Sequence, residues 1–333
     1  MSATSARLLA GIDVGGTKVL GVLVDPADPG VVVDEARVPT PDGHAAVLDA
    51  MAETVRRLAA GPAGAEAGVA AVGVGIAGLV DREGTLRIGP NLPGLRGVRV
   101  GEELDHRLGL PVRVDNDATC AAWGEHLAGA ARGERDVACV TLGTGIGGGI
   151  VADGELVRGA HGYGAEFGHM VVDPRGPLCP CGRRGCWERF ASGSGLAWLA
   201  REAAIAGGLG RAVELAGSVE AVRGEHVSRA AAEGDADALQ VVRTFADWVA
   251  LGIGNLVTVL DCSLVVIGGG LVEMGELLIE PVRAAYPAHV MVAAERTDVR
   301  IVPAQLGERA GAIGAALLGG REAADTAEVA AGT

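Results

Sequence analysis

The segment Leu8–Asp25, LLAGIDVGGTKVLGVLVD, constrains the fold more than any other. Two apolar runs flank a Gly-Gly-Thr turn, which predicts a strand, a tight turn and a second strand running back antiparallel. The pattern returns 128 residues later in Cys139–Asp153, CVTLGTGIGGGIVAD, where Gly15 falls on Gly143, Gly21 on Gly149 and Asp25 on Asp153. A second correspondence, 192 residues apart, sets Val74–Val80 on Val266–Val272. Each is an apolar strand ending in a turn of small residues. Either match alone is within reach of chance in a chain rich in Gly and Val, but two in the same order predict a duplication. A hairpin followed by alternating α/β elements, made twice, predicts an α/β fold of two similar lobes facing across a cleft. Ligands in open α/β sheets sit at strand ends and their loops, so both glycine turns are expected to face that cleft.

Composition narrows the partners. At 333 residues the chain exceeds what one core usually organises, and 49% hydrophobic with 21% charged residues excludes a disordered chain. Aromatics are only 3%, so the core must be built from Ala, Val and Leu. The net charge of −14 opposes binding a nucleic acid, which needs a cationic face. A nucleotide is still allowed, because backbone N–H groups and a metal ion can hold a few phosphates. Met1–Arg7 shows no signal peptide, and the longest apolar stretch, Trp248–Leu260, is interrupted by glycines and Asn255 and is too short for a bilayer. Six cysteines are too sparse for a disulfide scaffold, and three clustered ones suggest a metal site in a reducing compartment. No membrane association and a cytoplasmic location are expected.

Helical spacing marks 45–60, where Val47, Leu48, Met51, Val55 and Leu58 share a face, and a short stretch at 102–108. Further helices are expected at 118–131, 236–259 and 309–318, with a small, polar, frayed tail after Gly319.

Asp13-Val14-Gly15-Gly16-Thr17-Lys18 ends the first strand. Its glycines let a backbone approach a phosphate, Thr17 offers a hydroxyl, and Asp13 offers a carboxylate for Mg²⁺ or its waters. Taken alone, the turn is as readily an ordinary hairpin connection. It is neither a P-loop nor a dinucleotide fingerprint, since no helix opens directly after it. Gly143-Thr144-Gly145 supplies a second phosphate turn and Gly268-Gly269-Gly270 a third close-approach surface.

Asp115-Asn116-Asp117 precedes a helix, and an Asp there is either a cap or a general base. The readings are compatible if Asp115 caps and Asp117 reacts.

The most specific motif runs from His169 through Cys179-Pro-Cys181-Gly-Arg-Arg-Gly-Cys186. Three thiolates and an imidazole make the tetrahedral set of a closed, structural zinc site. Glu166 and Glu188 flank it. Carboxylates beside a rigid metal loop suit sugar hydroxyls, although either one alone reads equally as a solvated surface acid.

Together these pieces resemble the ROK family of bacterial sugar kinases and repressors, most like its glucokinases. The matching segments are Asp13-x-Gly-Gly-Thr17, Pro90-Asn91-Leu92, Asn116-Asp117, Leu142-Gly-Thr-Gly145, Gly164-Ala-Glu166-Phe-Gly-His169, Cys179-x-Cys-Gly-x-x-Gly-Cys-x-Glu188, and Glu308-Arg-Ala-Gly-Ala-Ile-Gly-Ala-Ala316. The resemblance implies a two-lobed, actin-like and hexokinase-like (ribonuclease H-like) fold. It divides the chain into a smaller lobe, 1–118 plus 312–333, and a larger one, 119–311. It implies ATP-dependent phosphorylation of a hexose, with glucose favoured over mannose, allose, fructose, N-acetylglucosamine or N-acetylmannosamine. Asp117 would be the base. Gly78, Asn91, Asn116, Glu166, His169 and Glu188 would hold the other hydroxyls, with His169 also on zinc. Gly15, Gly16, Thr17, Lys18, Gly143, Thr144 and Gly145 would surround the ATP phosphates, Asp13 would serve Mg²⁺, and Gly268, Gly269 and Gly270 would approach the adenosine. Relatives form dimers or tetramers, and some accept polyphosphate as donor.

The family's repressors carry a helix-turn-helix before the sugar-binding region, whereas the first strand here begins at Leu8. That and the negative charge favour a kinase over a DNA-binding protein, with a silent sugar sensor as the remaining alternative. One departure from the pattern stands at Gly94-Leu95, where many relatives place a Trp. The loss of bulk is expected to loosen the sugar-side loop.

Overall fold

The computed structural model describes residues 7–92, 94–296 and 298–331. Contacts divide the chain into two compact units. One comprises Met1–Arg135, Gly149–Ala165 and Gln305–Thr333; the other comprises Asp136–Gly148 and Glu166–Ala304.

The first unit is built on strands β1 (Leu8–Val14), β2 (Lys18–Asp25), β3 (Asp28–Pro39), β4 (Val69–Ile76) and β5 (Val112–Asn116), in the order β3-β2-β1-β4-β5. The hairpin β1–β2 is antiparallel as expected, and β4 and β5 add to it in parallel. Register sets Val14 level with Ile76 and Ile76 level with Asn116, so three parallel strands end together. Helix α1 (His44–Ala60) buries Val47, Leu48, Met51, Val55 and Leu58 on one face, the set picked out by helical spacing. A small sheet of Leu79–Val80, Thr85–Ile88 and Val98–Arg99 lies between β4 and β5 in sequence.

The second sheet contains β6 (Val137–Leu142), β7 (Ile146–Ala152), β8 (Glu155–Leu156), β9 (Leu264–Gly268) and β10 (Arg300–Pro303), in the order β8-β7-β6-β9-β10. Counted from its own first strand, each sheet reads 3-2-1-4-5. The repeats seen in the sequence fall on equivalent strands: Gly15 and Gly143 follow the first strand of each sheet, and Val74 and Val266 lie in the fourth. The division between units falls inside β7.

Helix α2 (Asp117–Ala128) and the last helix, Ala310–Ala331, both belong to the first unit. A boundary at residue 118 would cut α2 from the helix it packs on. A Cβ added to Gly314 would overlap the carbonyl oxygen of Cys120, and one on Gly124 would lie 2.6 Å from that of Ala310. Likewise a Cβ on Gly11 or Gly73 would overlap the carbonyl of Ala312 or Ala315, so the last helix lies backbone to backbone on β1 and β4. A chain poor in aromatics fills its core by close approach of main chains. This helix runs on to Ala331, correcting the frayed tail expected after Gly319. Its alanines have the highest helix propensity, which carries the helix past Gly319.

In the second unit, α3 (Gly193–Ile205), α4 (Ala236–Leu260) and α5 (Glu276–Ala285) are the longer helices. The apolar run Trp248–Leu260 is the second half of α4. Among the described residues, no helix is long and apolar enough to cross a membrane.

Candidate active site

The first unit gathers its candidate residues at the level ends of β1, β4 and β5. The β1–β2 turn is closed by Gly15 N–H donating to the Lys18 carbonyl at 3.0 Å, and Thr40 Oγ1 donates to the Gly15 carbonyl at 2.7 Å. Gly16 is exposed beneath Asn91, whose backbone carbonyl oxygen would stand 3.0 Å from any Cβ there. Leu92 and Leu95 are both buried, and Leu95 N–H donates to the Leu92 carbonyl. Leu95 anchors one end of that loop in the core, while Gly94 before it is exposed. Pro93 lies outside the described residues.

Lys18 Nζ donates to Glu308 Oε2 at 2.6 Å, and Arg37 donates to the other oxygen at 2.5 Å. Their hydrogen bonds, Arg37 first and then Lys18, pull the Glu308 acid down to about 2. Asp13 packs against the first turn of the last helix, where a Cβ on Gly311 would stand 3.1 Å from its carboxylate carbon. Burial, and then the charge of Asp117, push the Asp13 acid up to about 7.

Asp117 is the first residue of α2, and burial raises its acid against hydrogen bonds from the backbone and the Asn116 amide. The cap is not Asp115, as the sequence suggested, but Asn116, whose side-chain oxygen accepts from Thr119 N–H at 3.0 Å. The Asn116 amide donates to Asp117 Oδ1 and to the Gly78 carbonyl, both at 3.0 Å. Gly78 holds φ at 144°, and a Cβ there would run into the Ile88 carbonyl. Asp115 instead turns inward, fully buried, and meets Arg158 Nε at 2.5 Å. Asp117 is thereby left free of capping duty, as expected, and oriented by its neighbour.

The second unit gathers the remaining candidates. In the second glycine turn Gly143 N–H donates to the Gly145 carbonyl at 3.0 Å. Glu188 Oε2 accepts from Ile146 N–H at 3.0 Å, and a Cβ on Gly145 would strike that carboxylate. Gly269, at φ 82°, rests on the Leu142 backbone, and Gly268 pairs with Thr141. The third glycine cluster thus lies beside the second turn. The N-terminus of α3 joins them: Gly193 N–H donates to the Gly143 carbonyl at 2.8 Å and Ser194 Oγ to the Thr144 carbonyl at 3.2 Å. These residues were missed in the sequence. The run Ser192-Gly-Ser-Gly reads as a loop, and only Ser192 as an N-cap could have revealed the helix start.

His169 ends a 3₁₀ turn, Phe167–His169, seated on β7, where a Cβ on Gly148 would strike the Phe167 ring. Glu166 precedes this turn, and its carbonyl accepts from His169 N–H. Ala165 before it holds φ at 64°, a conformation unusual for a residue with a side chain. His169 Nδ1 stands 3.7 Å from Cys179 Sγ, and Cys181 Sγ stands 3.5 Å from Cys186 Sγ. All four ligand atoms lie within 4.8 Å of one another. Tetrahedral zinc with Zn–S near 2.3 Å sets ligand atoms about 3.8 Å apart, so the cluster fits that ion. Beyond Cys186, Trp187 is completely buried and donates Nε1–H to the Trp248 carbonyl at 2.7 Å, which pins the cysteine loop and Glu188 to α4.

The sequence pattern of the ROK family matches residues 9–322. The chain belongs to the ROK family. It is 40% identical to a glucokinase of Streptomyces coelicolor over 315 residues, covering 93% of this chain and 96% of that one. It is 36% identical to an N-acetylmannosamine kinase of Citrobacter koseri, covering 92% and 97%. The solved structure of a ROK family glucokinase from Streptomyces griseus, in complex with glucose and AMPPNP, matches with a TM-score of 0.82 at 39% identity, covering 94% of this chain and 99% of that one. The duplicated α/β fold of two units is thus the ROK fold, as the resemblance implied.

Proposed function

We propose that this ROK protein transfers the γ-phosphoryl group of ATP to a hexose, glucose first, giving glucose 6-phosphate. The observation that carries the reading is Asp117: a half-buried carboxylate at a helix start, its acid raised by desolvation, and aimed by the Asn116 amide. Such a group is poised to accept the proton of a sugar hydroxyl as that oxygen attacks phosphorus. Asn91, Asn116, Glu166, His169, Glu188 and the Gly78 backbone are the groups assigned to the sugar. The Asn116 carbonyl keeps one lone pair for it, and His169, with Nδ1 turned to the thiols, keeps Nε2. The glycine turns Gly15–Thr17 and Gly143–Gly145, with Lys18, are assigned to the phosphates and Gly268–Gly270 to the adenosine. The α3 N-terminus adds a favourable dipole at the second turn.

His169, Cys179, Cys181 and Cys186 would hold zinc, which supplies rigidity rather than chemistry because all four positions are filled. Asp13 would serve Mg²⁺, which neutralises phosphate charge. Desolvation and then the charge of Asp117 make ionising Asp13 costly, which suits such a cation. A cytoplasmic homodimer or homotetramer completes the reading. The likeness to an N-acetylmannosamine kinase favours N-acetylhexosamines as the second choice of sugar.

The test is ATP- and Mg²⁺-dependent phosphorylation of glucose, mannose, fructose, allose, N-acetylglucosamine and N-acetylmannosamine, with Asp117→Asn alongside. Glucose is expected to turn over fastest, and the variant to bind sugar while losing at least ~10³-fold in kcat. Turnover of the variant near the wild-type rate would remove Asp117 from the role.

A further inference from the structure

The Arg158–Asp115 pair lies outside every role assigned above. Asp115 has 1% of its side chain exposed and Arg158 11%, and their charged atoms meet at 2.5 Å. The other Asp115 oxygen accepts the backbone N–H of Asn116 at 2.9 Å. Asn116 in turn caps α2 and donates its amide to Asp117 Oδ1 at 3.0 Å. An ion pair, a hydrogen bond to the Asn116 main chain and a hydrogen bond from the Asn116 side chain therefore link the guanidinium to the carboxylate assigned as base.

We propose that Arg158 is a positioning residue for Asp117, acting through the Asp115 carboxylate and the Asn116 amide. The proposal rests on the assignment of Asp117 as base. Buried ion pairs are poor stabilisers, and apolar pairs of similar volume often replace them without loss. What an apolar pair cannot do is hold the Asn116 N–H, and with it the start of α2, in one orientation. The backbone of Arg158 is itself fixed. Gly164 N–H donates to the Arg158 carbonyl at 3.0 Å, Val157 N–H to the Ile150 carbonyl at 2.9 Å, and Arg82 holds the Gly159 carbonyl through two nitrogens at 2.8 and 2.6 Å. The chain leaves this clamped loop through Gly164 and Ala165 directly into Glu166. Arg158 thus reaches toward the base with its side chain from a loop whose own main chain is held. Burial raises the Asp115 acid while Arg158, and more weakly Arg113, hold it down, consistent with a charge that depends on its partner.

The experiment compares Arg158→Met, Arg158→Lys and the double variant Asp115→Leu/Arg158→Met, reading Tm, kcat and both KM values. Arg158→Met is expected to lose 10- to 100-fold in kcat per folded molecule, with KM for glucose and ATP within about threefold, because a small misplacement of the base costs rate rather than binding. Arg158→Lys should recover part of that loss, keeping the charge without the planar fork. The double variant should recover Tm but not kcat. A kcat within twofold of wild type in Arg158→Met, or restored together with Tm in the double variant, would show the pair to be purely structural and overturn the proposal. If the wild-type protein phosphorylates no sugar, the kinase reading fails on its own. Positioning is then decided by the crystal structure of Arg158→Met: a displaced Asp117 carboxylate upholds it, and one superposing on wild type ends it.

Discussion

Three neighbouring side chains, Asp115, Asn116 and Asp117, take different parts: an ion pair, a cap, and the carboxylate proposed as base. Burial first, then backbone N–H groups at the helix start and the Asn116 amide, set how readily Asp117 gives up its proton. Burial raises the Asp117 acid, and the amide opposes that by bonding the charged form. A base works only when ionised, so activity should fall as pH drops through this raised value, and the acid limb of kcat is expected above the ordinary carboxylate range. Asn116→Ser keeps an oxygen to cap Thr119 N–H but removes the amide that donates to Asp117 Oδ1. It should leave Tm nearly unchanged, move the acid limb to higher pH and lower kcat about tenfold at neutral pH. A pH–rate profile superposing on wild type would mean that the amide does not tune the base. The sequence disclosed that this tripeptide mattered but not which member did what. All three residues are competent caps, and the choice follows from which of them points inward at the end of β5. That depends on register with β4 and on Arg158, more than forty residues away in the chain.

Among the elements, the last helix shows what local patterns convey and what they conceal. Helices α1 and α4 are legible because apolar residues recur at helical spacing over several turns. The last helix is legible only in its first part, since its packing face is glycine and alanine. A hydropathy pattern cannot distinguish a residue that is small because its backbone must touch another from one that is small because nothing lies near. The structure separates the two. Gly314 sits on the Cys120 carbonyl of α2, so Gly314→Val is expected to cost roughly 3 kcal/mol or more, the upper range for overpacking a site with no room to yield. Gly210, at the start of the helix Gly210–Ala216, has nothing within 4 Å of an added Cβ, so Gly210→Ala should be neutral or slightly stabilising. Thermal denaturation of the two variants checks the contrast. Equal Tm values would mean that the α2 contact can spread without cost. The hidden start of α3 has the same origin, since its glycines make room for the turn at Gly143.

At the scale of the whole molecule, one topology serves two purposes. Both sheets run 3-2-1-4-5 with a glycine turn after the first strand, yet only the second unit carries the cysteine loop. That loop's backbone bonds close within the loop itself, among them Cys179 N–H to the Arg183 carbonyl and Trp187 N–H to the Met170 carbonyl. Metal binding would therefore be a folding event local to the second unit. Burial, followed by its two thiol neighbours, pushes the Cys186 thiol up to about 12, so the cluster binds zinc only by expelling protons, and its affinity should weaken as pH falls. Cys181→Ser, or a chelator applied to the purified protein, is expected to release about one zinc per chain. Hydrogen exchange should then quicken across 166–190 and on the face of α4 that holds Trp187, while β1 and β4 keep their protection. Because Glu166, His169 and Glu188 all hang from this loop, KM for the sugar should rise several-fold while KM for ATP changes little. Loosening spread equally over both units would make the metal a global staple rather than a local one, and metal analysis finding no zinc in the purified protein would end the account.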